Sequence, residues 1–163
     1  MDKNLIERYK EEMLKMYSAV AKSADANVPK IITQNDEKGY LLGIATEIRG
    51  LYFVPDAKVT VFTGTPDNMN IIDTSYTDQT GKTKEFSLPA PNITLSETPQ
   101  ESALPYSLYN MMFEAEGYLT NVHLNIPVFP SVTSRQTSNL LLLETAGKDK
   151  SPRIFDESQK YNL

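Results

Sequence analysis

The sequence predicts a mainly β protein, a seven-stranded antiparallel β-sandwich with one amphipathic helix at its N-terminus. From Tyr40 onward, apolar residues recur with a period of two, as they do in strands with one buried face. Each strand-like segment is followed by a turn signal rich in Pro, Gly, Asp or Asn. A chain of 163 residues is also long enough to bury a core of its own.

The helix is predicted over residues 1–22, where apolar residues are spaced by three or four and therefore share one face. This stripe either packs on the sandwich of the same chain or binds a partner, since helix-in-groove binding uses the same spacing. The predicted partner is another protein or a second copy of this chain. The stripe consists of Leu5, Tyr9, Met13, Met16 and Val20.

Residues 23–39 lose the helical period and are predicted to be a linker. The sandwich is predicted over residues 40–145, with its last strand at Leu140–Leu143. A type I turn is predicted at Asp78–Gly81, because Asp at the start and Gly at the end suit that turn. Residues 146–163 are predicted to be a polar tail.

The composition excludes several classes of function. The formal charge is −5 at pH 7, which argues against a nucleic-acid-binding face. There is no cysteine, so disulfides and thiolate chemistry are excluded. No secretory signal and no membrane span are visible, and the predicted localisation is cytoplasmic or spore-associated.

The order of three segments resembles the carboxypeptidase regulatory-like domain, a transthyretin-like (prealbumin-like) sandwich, which implies a Greek-key path. These segments are Pro55–Val59, Thr77–Gly81 and Tyr109–Tyr118. A closer likeness is to the version of this domain in clostridial spore cortex-lytic and peptidoglycan-binding proteins. It rests on Leu88–Pro91, Pro105–Tyr106, Ile126–Phe129 and Val132–Ser134. Those proteins carry catalysis and wall binding in other domains, so the resemblance implies an accessory module of a Gram-positive anaerobe (Firmicutes).

No catalytic residue, cofactor site or metal site is predicted. His123 is the only histidine, so a Ser-His-acid triad would depend on it, and its place on an alternating strand predicts a solvated side chain. A calcium site would need a ligand spacing that the acidic and amide residues Asp67, Asn68, Asn70, Asp73 and Asp78 do not show. An isopeptide bond between Lys38 and Asn139, assisted by Glu114, is a further hypothesis.

The predicted function is a non-catalytic module for protein–protein interaction in sporulation or cell-envelope assembly. The alternative is a peptidoglycan- or carbohydrate-binding module, because aromatic residues near predicted turns could form a sugar-binding platform. Those residues are Tyr52, Phe53, Tyr106 and Tyr118. An enzyme with an unrecognised site is the remote alternative.

Overall fold

The computed structural model describes Glu7, Arg8, Lys10–Glu12, residues 37–92 and residues 104–160. The chain divides into two compact units, Met1–Asn35 and Asp36–Leu163. The described residues of the first unit are helical and exposed. The five residues of the predicted apolar stripe, Leu5, Tyr9, Met13, Met16 and Val20, lie outside the described residues, so their role as an interaction surface stays a prediction.

The described part of the second unit contains nine strands and a short 3₁₀-helix at Glu157–Lys160. No helix in the described ranges is both long and apolar enough to cross a membrane. The strands are β1 (Glu37–Glu47), β2 (Tyr52–Phe53), β3 (Lys58–Thr65), β4 (Asn68–Tyr76), β5 (Phe86–Ala90), β6 (Ser107–Glu114), β7 (Asn121–Val128), β8 (Thr133–Leu140) and β9 (Arg153–Asp156).

The strands form two sheets, as predicted for a mainly β protein with a sandwich core. In the first sheet, β1 pairs with β8 on one side and with β5 and β2 on the other. The second sheet has the order β4-β3-β6-β7-β9. The prediction of seven antiparallel strands is wrong, because there are nine in the described ranges and two pairings are parallel, β1 with β8 and β7 with β9.

The hydrophobic core lies between the sheets and takes alternate residues from β1, β3, β5, β6 and β7. In β1 the buried face is Leu41, Gly43 and Ala45, whereas Leu42 and Ile44 are only partly buried. A side chain at Gly43 would come within 3.1 to 3.3 Å of side chains from β3 and β6, so the small residue lets these strands approach β1. The core comprises Leu41, Ala45, Val54, Ala57, Val59, Val61, Phe86, Leu88, Tyr109, Met111, Phe113, Ile126, Val128 and Leu140.

Three predicted boundaries differ from the structure. The last predicted strand, Leu140–Leu143, is wrong, since β8 ends at Leu140 and is mostly polar. Its inward residues Gln136 and Ser138 meet other polar side chains rather than apolar ones, so apolar periodicity could not reveal it. The predicted tail contains β9 and the 3₁₀-helix, and β1 begins at Glu37 inside the predicted linker.

A β-bulge in β7 changes which residues face the core. Between two paired positions, β6 advances two residues from Tyr109 to Met111, while β7 advances three from His123 to Ile126. The extra residue is accommodated at Asn125, whose φ of 60° is left-handed. A one-residue shift moves side chains to the opposite face of a strand, so His123 points inward together with Ile126.

Candidate functional site

His123 is buried, with 4% of its surface exposed, and the prediction of a solvated histidine is therefore wrong. Its ring stacks on Phe155 of β9 at a centroid distance of 4.9 Å and meets the edge of Phe113 at 5.6 Å. Nδ1 lies 2.7 Å from Oε1 of Glu157, and Nε2 lies 2.8 Å from Oγ of Ser138. Strand β7, strand β8 and the 3₁₀-helix therefore meet at this one imidazole.

The hydrogen bonds around His123 have a consistent direction. In the tautomer with the proton on Nδ1, this nitrogen donates to Oε1 of Glu157 and Nε2 can accept. Ser138 Oγ accepts a bond from Nδ2 of Asn121 at 2.9 Å, which leaves its own hydrogen free for Nε2. Nε2 of Gln136 donates a second bond to Glu157 Oε1 at 3.2 Å. A polar chain thus runs from Asn121 through Ser138 and His123 to Glu157.

This chain has the residue types and separations of a Ser-His-acid triad. However, Ser138 has no exposed surface, so a substrate carbonyl could not approach its Oγ at about 3 Å. The arrangement instead joins elements of both sheets that have no backbone ladder between them. We therefore interpret the His123 network as a structural connection and not as a nucleophilic centre.

A half-open cleft of about 430 Å³ lies where β1 and β8 end. Its walls combine apolar side chains with two arginines. Arg49 lies in the turn after β1, and Arg153 is the first residue of β9. The lining residues are Glu47, Ile48, Arg49, Asn139, Leu140, Leu141, Leu142, Thr145 and Arg153.

In the described part of the chain, the two arginines share the cleft with one carboxylate, that of Glu47, but form no ion pair with it. Among the described residues, neither Arg49 nor Arg153 has a carboxylate within ion-pair distance. Arg153 lies over the ring of Phe155, 5.0 Å from its centroid, and its Nη1 donates to the carbonyl oxygen of Asn139 at 3.3 Å. One guanidinium is thus partly anchored, and both keep donors available to a ligand.

The carboxylate that lines the cleft, that of Glu47, is bound to a tyrosine. The hydroxyl of Tyr118 donates a short hydrogen bond to Oε2 of Glu47. This bond, together with partial burial and the nearby negative charge, raises the pKa of Tyr118 to about 12. The phenol therefore stays protonated through the physiological range and keeps Glu47 oriented.

The structure does not bring the four predicted carbohydrate contacts together. Tyr52 and Phe53 form β2 and are exposed, and Tyr52 is paired with Glu47, the partner of Tyr118. Tyr106 lies near the opposite end of β6, where its ring meets Phe129 at 5.5 Å. Three of the four aromatics therefore lie near the cleft, and Tyr106 does not.

The isopeptide hypothesis does not fit the strand register. Asn139 is paired with Thr46, eight residues along β1 from Lys38. Eight residues of extended strand span roughly 26 Å, so the two side chains cannot join. The third residue of the hypothesis, Glu114, is paired with Lys58.

Oxygen ligands for a cation are also dispersed. Asp73 forms an ion pair with Lys84 at 2.8 Å, and Asp78 is occupied by its own turn, where Oδ1 accepts the Thr80 N–H at 2.8 Å. Asp67 and Asn68 lie at the other end of β4. No group of three or more His, Cys, Asp or Glu residues is arranged to hold a metal ion in the part of the chain that the structure describes.

No protein-family model and no curated protein sequence matches the chain. Solved structures with a similar backbone fold include catechol 1,2-dioxygenase from Acinetobacter sp. ADP1, with a TM-score of 0.44. The match has 12% sequence identity and covers 79% of this chain and 60% of that enzyme. The enzyme from Acinetobacter radioresistens gives a TM-score of 0.40 and 14% identity over 76% and 58%. Chlorocatechol 1,2-dioxygenase from Pseudomonas putida gives 0.34 and 14% over 74% and 59%.

These comparisons correct four predictions. The resemblance to carboxypeptidase regulatory-like domains is wrong, because no family model matches and the similar structures are dioxygenases. The non-catalytic accessory module and the absence of enzymatic activity are contradicted by the same comparison, in which the similar structures are enzymes, and the fourth prediction, the spore and cell-wall association, finds no support in it. The chain spans only about 60% of their length, and the likeness assigns it no substrate or reaction.

Sequence reasoning missed both the His123 network and the cleft. His123 was missed because the bulge at Asn125 reverses the alternation on which its exposure was judged. Arg153 lies in the segment predicted to be a tail. The one signal of a strand in that segment is that Arg153 and Phe155 alternate with exposed residues. A pattern of four residues is too short to be distinguished from a chance alternation.

Proposed function

We propose that the cleft at the end of β1 and β8 binds a small organic anion, a carboxylate attached to an apolar body. The observation that carries this proposal is the pair of guanidinium groups, Arg49 and Arg153, without acidic partners among the described residues and within a largely apolar lining. The chain as a whole is acidic, with a formal charge of −5, so this local positive charge runs against the average.

The chemistry of the lining selects the ligand class. A guanidinium presents planar, paired donors that match the two oxygens of a carboxylate, and such charge-assisted bonds are about twice as strong as neutral ones. Ile48 and Leu142 are exposed and supply an apolar surface for the rest of the molecule. A ligand with one acidic end and one hydrocarbon end would use both parts of the cleft.

The other polar groups of the cleft leave this role to the arginines. The hydroxyl of Thr145 donates to the carbonyl of Leu142 at 2.8 Å and is therefore satisfied within the chain. The carboxylate of Glu47 is bound by Tyr118, which fixes it at the cleft wall. Glu47 would repel an anion placed beside it, so we expect the ligand carboxylate to lie on the arginine side.

The volume sets an upper limit on the ligand. Ligand sites commonly measure roughly 300 to 1,000 Å³, and the cleft, at about 430 Å³, is at the small end of that range. Because it is half open, part of the ligand remains in contact with water. A single-ring or short-chain acid fits these dimensions better than a polymer.

The test is an isothermal titration calorimetry experiment in which the full chain is titrated with phenylacetate and, separately, with its neutral amide, phenylacetamide. We expect saturable binding of the acid, with the amide weaker by about tenfold, the discrimination expected from one charge-assisted contact. Arg49→Gln and Arg153→Gln should each remove this preference.

Arg135→Gln is the matched control, because Arg135 is an exposed residue of β8 outside the cleft lining and the substitution removes the same charge. Equal affinity of the wild-type protein for phenylacetate and phenylacetamide would overturn the proposal. So would an equal loss of acid binding in all three variants, because that result would reflect net charge alone.

A further inference from the structure

We infer that His123 and Glu157 are positioning residues for the anion site, holding Arg153 in the cleft through strand β9. This inference rests on the proposed carboxylate site and names two buried residues that do not line it. His123 belongs to β7, and Glu157 is the first residue of the 3₁₀-helix that follows β9.

Apart from this network, strand β9 is held by its backbone pairing with β7 and by one exposed bond from Nδ2 of Asn125 to Oδ1 of Asp156 at 3.0 Å. It is four residues long, lies at the edge of its sheet and pairs only with β7, in parallel. Ile154 and Asp156 are exposed, with 58% of the Ile154 surface accessible, so they add little apolar burial. Parallel pairs are slightly less stable per residue than antiparallel ones, so side-chain contacts decide where β9 sits.

Those side-chain contacts come from alternate residues that share one face. Phe155 stacks on the His123 ring at 4.9 Å, and Glu157 bonds Nδ1 of the same ring at 2.7 Å. The Arg153 guanidinium lies 5.0 Å from the centre of the Phe155 ring. Arg153, Phe155 and Glu157 are therefore all connected, directly or through one neighbour, to His123.

A second connection reaches Arg153 from the other side. Its Nη1 and the Nδ2 of Asn121 both donate to the carbonyl oxygen of Asn139, at 3.3 and 3.0 Å. Nδ2 of Asn121 also donates to Ser138, which bonds Nε2 of His123 at 2.8 Å. The imidazole thus lies where two routes to the guanidinium meet, one through Phe155 and one through Asn139.

The consequence is specific to the charged part of the ligand. Removing the Glu157 side chain leaves the apolar lining of the cleft unchanged, but it releases one side of the His123 ring and the anchor that follows Phe155, so the pairing of the edge strand β9 with β7 opens more readily. We expect the guanidinium of Arg153 to lose its fixed place, so that carboxylate binding weakens while binding of the neutral isostere does not.

The experiment compares Glu157→Ala, Glu157→Gln and the control Glu144→Ala in the full chain. Glu144 is an exposed carboxylate outside both the network and the cleft lining. For Glu157→Ala we expect phenylacetate to bind about tenfold more weakly and phenylacetamide to bind as before. Glu157→Gln should restore most of the affinity, since its amide oxygen can accept the same two bonds. If Glu157→Ala bound phenylacetate and phenylacetamide more weakly by the same factor, the role of Glu157 would be purely structural and the inference would be overturned.

Amide hydrogen exchange separates a failure of this inference from a failure of the proposed function. If the unchanged protein binds neither probe, the carboxylate site is wrong, whatever the exchange shows. The positioning role predicts faster exchange at Ile154–Asp156 in Glu157→Ala and not in Glu144→Ala. Exchange in Glu157→Ala that matches the unchanged protein would overturn the positioning role even if the cleft binds phenylacetate.

Discussion

Oδ1 of Asn110 accepts the backbone N–H of Asn125 at 2.9 Å, across the bulge that separates two halves of β7. The Nδ2 atom of the same side chain donates to the carbonyl oxygen of Gly64 at 3.0 Å. A buried amide on β6 thus replaces the ladder bond that the bulge interrupts and ties it to β3. The inward direction of His123 depends on this arrangement.

Asn110→Ala should destabilise the fold by roughly 2 kcal/mol, because it removes both bonds and leaves the Asn125 N–H and the Gly64 carbonyl without these partners. Urea denaturation followed by far-UV circular dichroism measures the change. Asn70→Ala is the control, as Asn70 is exposed and its side chain makes one long bond to Thr63 at 3.4 Å. A free energy of unfolding equal to that of the control would contradict this account of the bulge.

Gly81→Ala should be more destabilising than Gly117→Ala, although both glycines have a left-handed φ, of 71° and 82°. The conformational strain alone is about 1–2 kcal/mol at each site. At Gly81 a Cβ would also lie 2.5 Å from the carbonyl oxygen of Ala45 and 3.1 Å from Phe53, whereas nothing lies within 4 Å at Gly117. Thermal unfolding of the two variants side by side tests this, and equal losses would refute the packing contribution.

Thr77→Val should destabilise the domain by roughly 2–4 kcal/mol despite its nearly equal volume. The buried hydroxyl of Thr77 donates to the Val54 carbonyl at 2.7 Å and accepts the Ala57 N–H at 2.9 Å, so it connects the end of β4 with the turn before β3. Chemical denaturation gives the value. Thr80→Val, in the exposed turn, should lose less, and a reversed order would count against a connecting role for Thr77.

The hydrogen bond between Tyr118 and Glu47 predicts a decrease in stability at high pH. The folded pKa of Tyr118, about 12, is above the ordinary tyrosine value of 10.0. Between these values the unfolded chain has lost the phenolic proton and the folded chain retains it. The free energy of unfolding contributed by this pair is therefore complete below pH 10 and declines as pH rises toward 12.

Ultraviolet titration at the phenolate absorbance measures this pKa, with Tyr118→Phe identifying the contribution of this tyrosine. Glu47→Ala should bring the transition back toward 10, since it removes the hydrogen-bond acceptor and the charge together. An unchanged transition in Glu47→Ala would show that burial alone raises the pKa.

The sequence revealed those parts of the fold that depend on apolar alternation and turn chemistry. The apolar period of two predicted after Tyr40 is clear in β6, Ser107–Glu114, which buries Tyr109, Met111 and Phe113 at alternate positions. The turn Asp78–Gly81 closes through a bond from the Gly81 N–H to the Asp78 carbonyl at 2.9 Å. In both places the local residues alone determine the local structure.

The elements that were missed depend on partners distant in sequence. β8 buries Gln136 and Ser138, whose hydrogen-bonding partners, Glu157 and Asn121, lie in other elements. β9 is too short to show a period. The cleft arises only when the ends of β1, β8 and β9 meet, and nothing in the local sequence around Arg49 or Arg153 indicates that meeting.

The parallel pairing of β1 with β8 has a consequence for how the chain folds. Tyr40 pairs with Thr133, 93 residues further along the chain. During synthesis, the edge of β1 that pairs with β8 therefore stays uncovered until most of the domain has been translated. Contacts of such long sequence separation slow folding, because the loop-closure entropy is lost before the pairing is gained. We expect a folding time on the order of milliseconds to seconds. We also expect an interval during translation in which chaperones can bind the unpaired edge of β1.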